Sequence, residues 1–319
     1  MIKLPARRTL AAGLAAGALL TVTACAGDDL AEDESGGSGG SGGGETVRIA
    51  TQSFDEAALV TAMYEALLEH NDYEVEVTAV DTRDAYMQQF PSDYDIVPEY
   101  LVALGDFLNV QANGEDAEPI AISDTEEALA TVEPLAEEAG ITLLEPSPAA
   151  SQNAFFVTEE YSEENGVTQL SDLEGESVVL AAAPDCEGRP DCEGGLTEVY
   201  GIEISKLLPL GYASPETYQS VLDGESDLGL TGTLDGTLDD QGLVLLEDDR
   251  GIQPAQNLVP AVSTEFLADH EDVQVLLEDL MAALDNDTLG ELIARVTVDR
   301  EQPEDVATEF LQEEGLISG

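Results

Sequence analysis

The chain has 319 residues, and 68 acidic side chains against ten basic ones give it a formal charge of −58 at neutral pH. That balance excludes nucleic-acid binding, because phosphate contacts need clustered Lys and Arg, and it argues against a phosphate-rich substrate for the same reason. High net charge also marks disordered chains, but 43% apolar residues in periodic patterns belong to a folded one.

The first 24 residues read as an export signal rather than as structure. Lys3, Arg7 and Arg8 form a basic start, and 10–22 is a run of Ala, Gly, Leu, Thr and Val, shorter than the about 20 apolar residues a membrane-spanning helix needs. The run ends in Val22-Thr23-Ala24-Cys25, which resembles a bacterial lipobox, so Cys25 is the expected lipidation site. Arg7-Arg8 also resembles a twin-arginine signal, which leaves the export route open. Residues 25–45 form an acidic and then Gly/Ser-rich tether, a coil spanning roughly 25 Å. No predicted strand precedes its glycines, so they are not a phosphate loop. All the acids and only seven bases follow the signal. Such acidity suits a protein kept hydrated in salty surroundings, where charge steers little because the Debye length is about 3 Å at 1 M salt.

Residues 46–50 read as a strand. Ser53 and Glu56 then match an S-x-x-E capping box, followed by an apolar stripe of Leu59, Ala62, Met63, Ala66 and Leu67. A strand over 73–79, a helix over 83–89 and a strand at 95–97 follow. This β-α-β-α-β order predicts a parallel sheet with helices on its faces. A helix over 126–139 and an extended 142–144 come next. A second unit begins near Pro148, with strands at 153–158, 177–183, 227–231 and 242–247, a Cys/Gly/Pro loop, and a helix over 215–222. From Phe266 the pattern is helical, and Pro303 opens the last helix. About 274 residues after the tether exceed a usual single core, and no internal repeat is apparent. The expected architecture is an α/β, bilobed binding protein closing over a cleft, with lobe 1 from 46–147 plus 252–319 and lobe 2 from 148–251.

Once Cys25 carries lipid, Cys186 and Cys192 remain. A disulfide is expected in an oxidising compartment. A metal site is the alternative, and it lacks partners, because His70 and His270 are remote in sequence and sit in polar settings that face solvent. No G-x-x-x-x-G-K-[ST], nucleophile–base pair or metal cluster supports an enzyme, so neither a catalytic residue nor a cofactor is expected. Carboxylate pairs arise by chance among 68 acids.

Several segments carry a resemblance in chain order. They are Ala50-Thr51-Gln52-Ser53-Phe54-Asp55-Glu56, Asp95-Ile96-Val97-Pro98-Glu99-Tyr100, Ser171-Asp172-Leu173, Val199-Tyr200-Gly201, Leu246-Glu247-Asp248-Asp249-Arg250 and Val259-Pro260. Together they resemble the glycine betaine/choline/proline-betaine binding proteins of ABC importers. The likeness implies a type II periplasmic-binding-protein-like fold. It also implies a monomeric receptor, lipid-anchored on the extracytoplasmic face of the cell membrane, that delivers a small osmolyte to an ABC permease and its ATPase subunits. A quaternary ammonium has no N–H to donate and is held by aromatic faces, while the ligand's carboxylate or hydroxyl needs donors.

By resemblance, Tyr100 is a cage tyrosine, and Phe155 in Gln152-Asn153-Ala154-Phe155 is a second aromatic wall, with Asn153 in the same binding set. Arg189 stands where the family carries a carboxylate-binding arginine, and Gln52 where it often has lysine. The chain departs from the family at Leu101-Val102-Ala103, in place of Thr-Gly-Thr, and lacks tyrosines near Leu230 and near Ala255-Gln256. Tyr86, Tyr212 and Tyr218 are further wall candidates at positions that more often serve a core. Arg189 lies midway between the two cysteines, so a disulfide is expected to preorganise it as a ligand clamp; a plain surface staple is the alternative. Two other functions fit the sequence: a binding protein for another small zwitterion or amino acid, and a structural or sensory lipoprotein outside transport.

Overall fold

The computed structural model describes residues 46–319; the signal, Cys25 and the tether lie outside the described residues. In chain order, β1 (Thr46–Gln52), α1 (Asp55–His70), β2 (Glu74–Val80), α2 (Arg83–Met87), β3 (Ile96–Tyr100), α3 (Leu101–Asn113), α4 (Thr125–Glu138) and β4 (Ile141–Leu143) come first. β5 (Asn153–Thr158), α5 (Glu159–Asn165), β6 (Ser177–Ala182), α6 (Glu193–Glu198), β7 (Glu203–Pro209), α7 (Pro215–Leu222), β8 (Leu228–Gly232) and β9 (Leu243–Leu246) follow. The chain finishes with β10 (Leu258–Ser263), α8 (Thr264–Asp269), α9 (Glu271–Ala282), α10 (Asn286–Thr297) and α11 (Pro303–Glu313). Among the described residues no helix is long and apolar enough to cross a membrane.

The strands form two five-stranded sheets, ordered β2-β1-β3-β10-β4 and β7-β6-β8-β5-β9. As helical crossovers require, β1 runs parallel to β2 and β3, and β6 parallel to β7 and β8. The parallel expectation fails at one strand in each sheet. β10 is antiparallel to β3 and β4, and β5 is antiparallel to β8 and β9. β10 has no place among the elements expected from sequence, and its Pro260 lacks the N–H that a ladder strand donates. In the sheet Pro260 lies opposite Pro98, so two residues without an N–H face each other, and all six β10 residues are buried. β7, α3, α5 and α6 are also additions to the expected elements.

The inner strands of each sheet are buried on both faces, while the edge strands β2 and β7 are largely exposed. In the first, Leu59, Val60, Met63, Tyr64, Leu67 and Leu68 of α1 are at most 1% exposed and pack with Leu277 and Leu280 of α9 and Phe310 and Leu311 of α11. Each such side chain stabilises the fold by about 1.5–3 kcal/mol. Tyr86, Leu104 and Ile141 cover the other face. In the second sheet, Phe155, Leu180, Leu196 and Leu230 lie on one face, and Phe156, Val221 and Leu243 on the other. Cys186 and Cys192 are joined by a disulfide and fully buried beside Leu196 and Tyr200. Among the described residues no group of His, Cys, Asp and Glu converges to hold a metal ion. His270 does not simply face solvent: it is half-buried, with its ring stacked 4.2 Å from that of Phe266. His70 is exposed and lies beside Ser318.

Two connections join the sheets and pair with each other. Ser151 N donates to Gln256 O at 3.0 Å and Leu258 N to Ala149 O at 3.1 Å, with an antiparallel bridge between Ala150 and Asn257. Alongside them, the open N-terminus of α3 is satisfied by the returning chain. Leu101 N, Val102 N and Ala103 N donate to Asn257 O, Ala255 O and Gln256 Oε1.

Candidate ligand-binding cleft

The cleft begins where β1 and β3 end and their helices start. The expected capping box does not form. Phe54, not Ser53, is the N-cap of α1 and makes no side-chain cap, while the Ser53 hydroxyl donates to Asp81 at 2.9 Å. Glu56 is thereby free to reach across the cleft. One of its oxygens accepts from the Tyr100 hydroxyl at 2.5 Å and the other from Ser151 Oγ at 3.1 Å. Burial pushes the Glu56 carboxyl up, and these two hydrogen bonds pull the other way. Burial, and then the adjacent Glu56 charge, hold the Tyr100 hydroxyl well above the ordinary tyrosine range. The Phe54 ring, 42% exposed, stacks on Tyr100 with centroids 6.5 Å apart and planes at 22°.

Tyr100 is fixed from behind by Glu99, which is 0% exposed. Arg83 donates to Glu99 through Nε at 2.8 Å and Nη2 at 3.0 Å, and the Tyr86 hydroxyl donates at 2.5 Å. The Tyr100 N–H donates to the same carboxylate at 3.1 Å. Tyr86 is thus a buried support rather than a wall.

The facing wall comes from the second sheet. Glu56 and Ser151 share a cavity of about 420 Å³ with Tyr212, Tyr218, Thr231, Gly232, Asp235 and Thr237, closed by Ile293, Ala294 and Thr297 of α10. Tyr212 is 50% exposed, and its hydroxyl lies over Gly232, where an added Cβ would stand 2.4 Å from that oxygen. A larger residue at 232 would force that hydroxyl to shift. Asp235 accepts from Tyr218 Oη, Thr231 Oγ1 and Thr237 Oγ1, each at 2.6 Å, and from Thr237 N at 3.1 Å.

An aromatic-walled cavity between two α/β sheets is the setting in which the similarity to known proteins has to be read. The family described as the substrate-binding domain of the ABC-type glycine betaine transport system matches residues 45–313. The chain belongs to this family. The glycine-betaine-binding protein of Pseudomonas aeruginosa is 29% identical over 285 residues, 86% of this chain and 89% of that relative. The glycine betaine-binding protein YehZ of Escherichia coli is 26% identical over 234 residues, 70% of this chain and 75% of its own length. Among solved structures, that of a glycine betaine/carnitine/choline ABC transporter superposes with a TM-score of 0.74 at 19% identity, covering 85% of this chain and 98% of the other. Apo YehZ does so with 0.72 at 24%, covering 85% and 99%. These likenesses show the type II periplasmic-binding-protein-like fold expected from sequence.

Within this substrate-binding domain the expected site residues separate into two groups. Tyr100 stands in the cleft, at the Glu56 contact. Gln52 ends β1 two residues before Phe54, is half-buried, and makes no side-chain hydrogen bond to another described residue. Asn153 and Arg189 meet elsewhere, on Asp191. Asn153 Nδ2 donates to Asp191 Oδ2 at 2.9 Å, and Arg189 grips both oxygens through Nε at 3.0 Å and Nη2 at 2.5 Å. A third donor of Arg189 goes to Asp185 at 3.1 Å, so its fork is filled by carboxylates of its own loop. Gln253 Nε2 donates to Asp191 O at 2.9 Å and ties that loop to the connection between the sheets. Phe155 needs correction as a wall: its ring is 1% exposed, paired across the ladder with Leu230 inside the second core. An alternating strand buried on both faces leaves that ring no open side.

Sequence reasoning missed Phe54, Glu56, Ser151 and Asp235 as cleft residues and ranked Tyr212 and Tyr218 as core. Phe54 and Glu56 lay inside a motif already singled out, but an S-x-x-E spacing is a local helix signal that outranks any distant role. For Tyr212 a clue was present: it sits between Gly211 and Ala213-Ser214-Pro215, in turn chemistry rather than in a periodic apolar stretch.

Proposed function

We propose that this family member is an exported, lipid-anchored solute receptor that captures a quaternary-ammonium osmolyte outside the cell and delivers it to an ABC permease and its ATPase subunits. One observation carries the ligand class. Tyr212 and Tyr218 line a cavity that also holds the Glu56 carboxylate, and Glu56 in turn accepts from Tyr100, which stacks on Phe54. A trimethylammonium group offers no N–H, so hydroxyl and amide linings cannot grip it, whereas aromatic faces attract it at about 0.5–2 kcal/mol each. Tyr100 acts as a cage wall, Gln52 is the neutral donor assigned to the ligand's polar end, and Asn153 is committed to Asp191 outside this cavity. Arg189 acts through Asp191 rather than on the ligand. The relatives named for glycine betaine and carnitine support the same class. The lobes close over the ligand about the paired connections at 147–153 and 251–258, and Cys25 carries the lipid.

A ligand that binds only the native state stabilises it by RT ln(1 + [L]/Kd), about 2.7 kcal/mol at 100 Kd. Glycine betaine, choline, carnitine or proline betaine at millimolar concentration raises the melting temperature by several degrees in high salt. A shift with amino acids and with none of these four would instead assign the protein to another zwitterion. Mass spectrometry of the mature protein tests the anchor: an unacylated Cys25 would refute it.

A further inference from the structure

The cavity described above is anionic, and its hydroxyl protons are already committed. Tyr218, Thr231 and Thr237 direct their O–H groups to Asp235, and Tyr100 and Ser151 direct theirs to Glu56. The N–H groups of Ala213, Thr233 and Asp235 go to Leu230 O, Gln152 O and Gly232 O. Tyr212 Oη is the remaining hydroxyl donor, where a bound carboxylate calls for several. Among the described residues no Lys, Arg or His lines the cavity. The Arg83 guanidinium behind Tyr100 is taken by Glu99, and Arg189, on its own loop away from the cavity, by Asp191 and Asp185. The N-terminal end of α1, whose dipole would favour an anion, already carries Asp55 and Glu56 in its first turn.

A zwitterion brought here places its ammonium beside Tyr212, Tyr218 and Glu56, but it also brings a carboxylate into a space with two carboxylates and, among the described lining residues, one uncommitted hydroxyl. In that partly desolvated cavity like charges repel more strongly than in water. A ligand bearing only the positive charge meets the same aromatic faces, neutralises Glu56 and, if it carries a hydroxyl, donates to a lone pair of Glu56 or Asp235. We propose that this cleft selects a quaternary ammonium without a carboxylate, a cationic amino alcohol of the choline type, over the zwitterionic betaines. The proposal rests on the quaternary-ammonium reading and narrows it.

Three ligands test it by calorimetric titration of the full chain in detergent at one fixed salt concentration. They are choline, glycine betaine, and glycine betaine methyl ester, which differs from glycine betaine only in having its carboxylate masked. Choline and the ester are expected to bind at least tenfold more tightly than glycine betaine. In Glu56→Gln, and separately in Asp235→Asn, the gap is expected to shrink, mainly because the two cations lose affinity; circular dichroism confirms that each variant is folded. Glycine betaine binding as tightly as the two cations overturns this inference and leaves the quaternary-ammonium reading standing. A gap that persists unchanged in both variants also overturns it, since the carboxylates would then not be its cause. Binding of none of the three overturns the quaternary-ammonium reading, and this inference with it.

Discussion

Glu56 and Glu99 both touch Tyr100, one through its hydroxyl and the other through its backbone N–H, and both are carboxylates drawn away from water. Their surroundings differ in one respect. Glu99, 0% exposed, has Arg83 locked onto it through a two-pronged contact and the Tyr86 hydroxyl beside it. Glu56 has only the hydroxyls of Tyr100 and Ser151. Inside a protein a carboxylate with its own arginine is charge-neutral as a unit, and its role is to fix geometry. A carboxylate held by hydroxyls alone has no built-in counter-charge and stays available to a cation that enters. The same residue type thus serves as scaffold on one side of Tyr100 and as recognition group on the other.

The largest expected effect comes from breaking the scaffold side. Glu99→Gln leaves Arg83, whose side chain is only 23% exposed, without a counter-charge, and removing one partner of a buried pair costs about 3–5 kcal/mol. Chemical denaturation at constant salt should show a loss near that range, with no comparable loss in Glu56→Gln. A cost below about 1 kcal/mol for Glu99→Gln would erase the distinction between the two carboxylates.

Next in size is Tyr100→Ala. It removes one aromatic face, worth about 0.5–2 kcal/mol of cation–π attraction, so calorimetry should find choline affinity reduced by up to roughly 30-fold. Tyr100→Phe keeps the face and should lose less. Equal losses in the two variants would mean that the hydroxyl on Glu56, not the ring, carries the contact.

The pH dependence sharpens the Glu56 side. Burial raises its carboxyl in the folded state, so the protonated group favours the empty fold below its unfolded pKa, and that contribution is lost as pH rises through the folded value. A cationic ligand responds in the opposite sense and binds more tightly as Glu56 ionises. Tyr100 and Tyr212, which face Glu56, are both raised and stay protonated across the acid range, and Asp235→Asn isolates the other carboxylate in the cavity. Choline affinity is therefore expected to increase with pH in the wild type and to stay flat in Glu56→Gln. A flat wild-type profile would remove Glu56 from the ligand's surroundings.

The smallest effect belongs to Arg189→Ala. Its ion pairs are 40% exposed on the arginine side, and such pairs contribute about 0–1 kcal/mol. Glycine betaine and choline affinities should change less than threefold. A tenfold loss confined to glycine betaine would restore Arg189 as the carboxylate clamp that the resemblance implied.

Most strands and several helices were legible because their signal is local. The stripe from Leu59 to Leu67 repeats with the helix period, and 73–79 alternates with the strand period, so each announces its own burial pattern. β10 was not legible: Pro260 contradicts a strand until Pro98 is placed opposite it. Among the expected site residues Tyr100, which follows a motif, contacts Glu56 of the cavity. Phe155 was misplaced, because its run reads equally as a cleft wall or as a strand buried on both faces.

The sequence by itself determined the acid balance, the βαβ order of the first half and the family to which the chain belongs, since composition, period and motif are properties of neighbours along the chain. Only the tertiary structure decided which carboxylates are neutralised and which are left open. Arg83 and Glu99 are 16 residues apart, Tyr100 and Glu56 are 44 apart, and Ser151 and Glu56 are 95 apart. Whether a buried charge has a partner depends on distances of a few ångströms between groups that the chain separates, and no local pattern of residues encodes those distances.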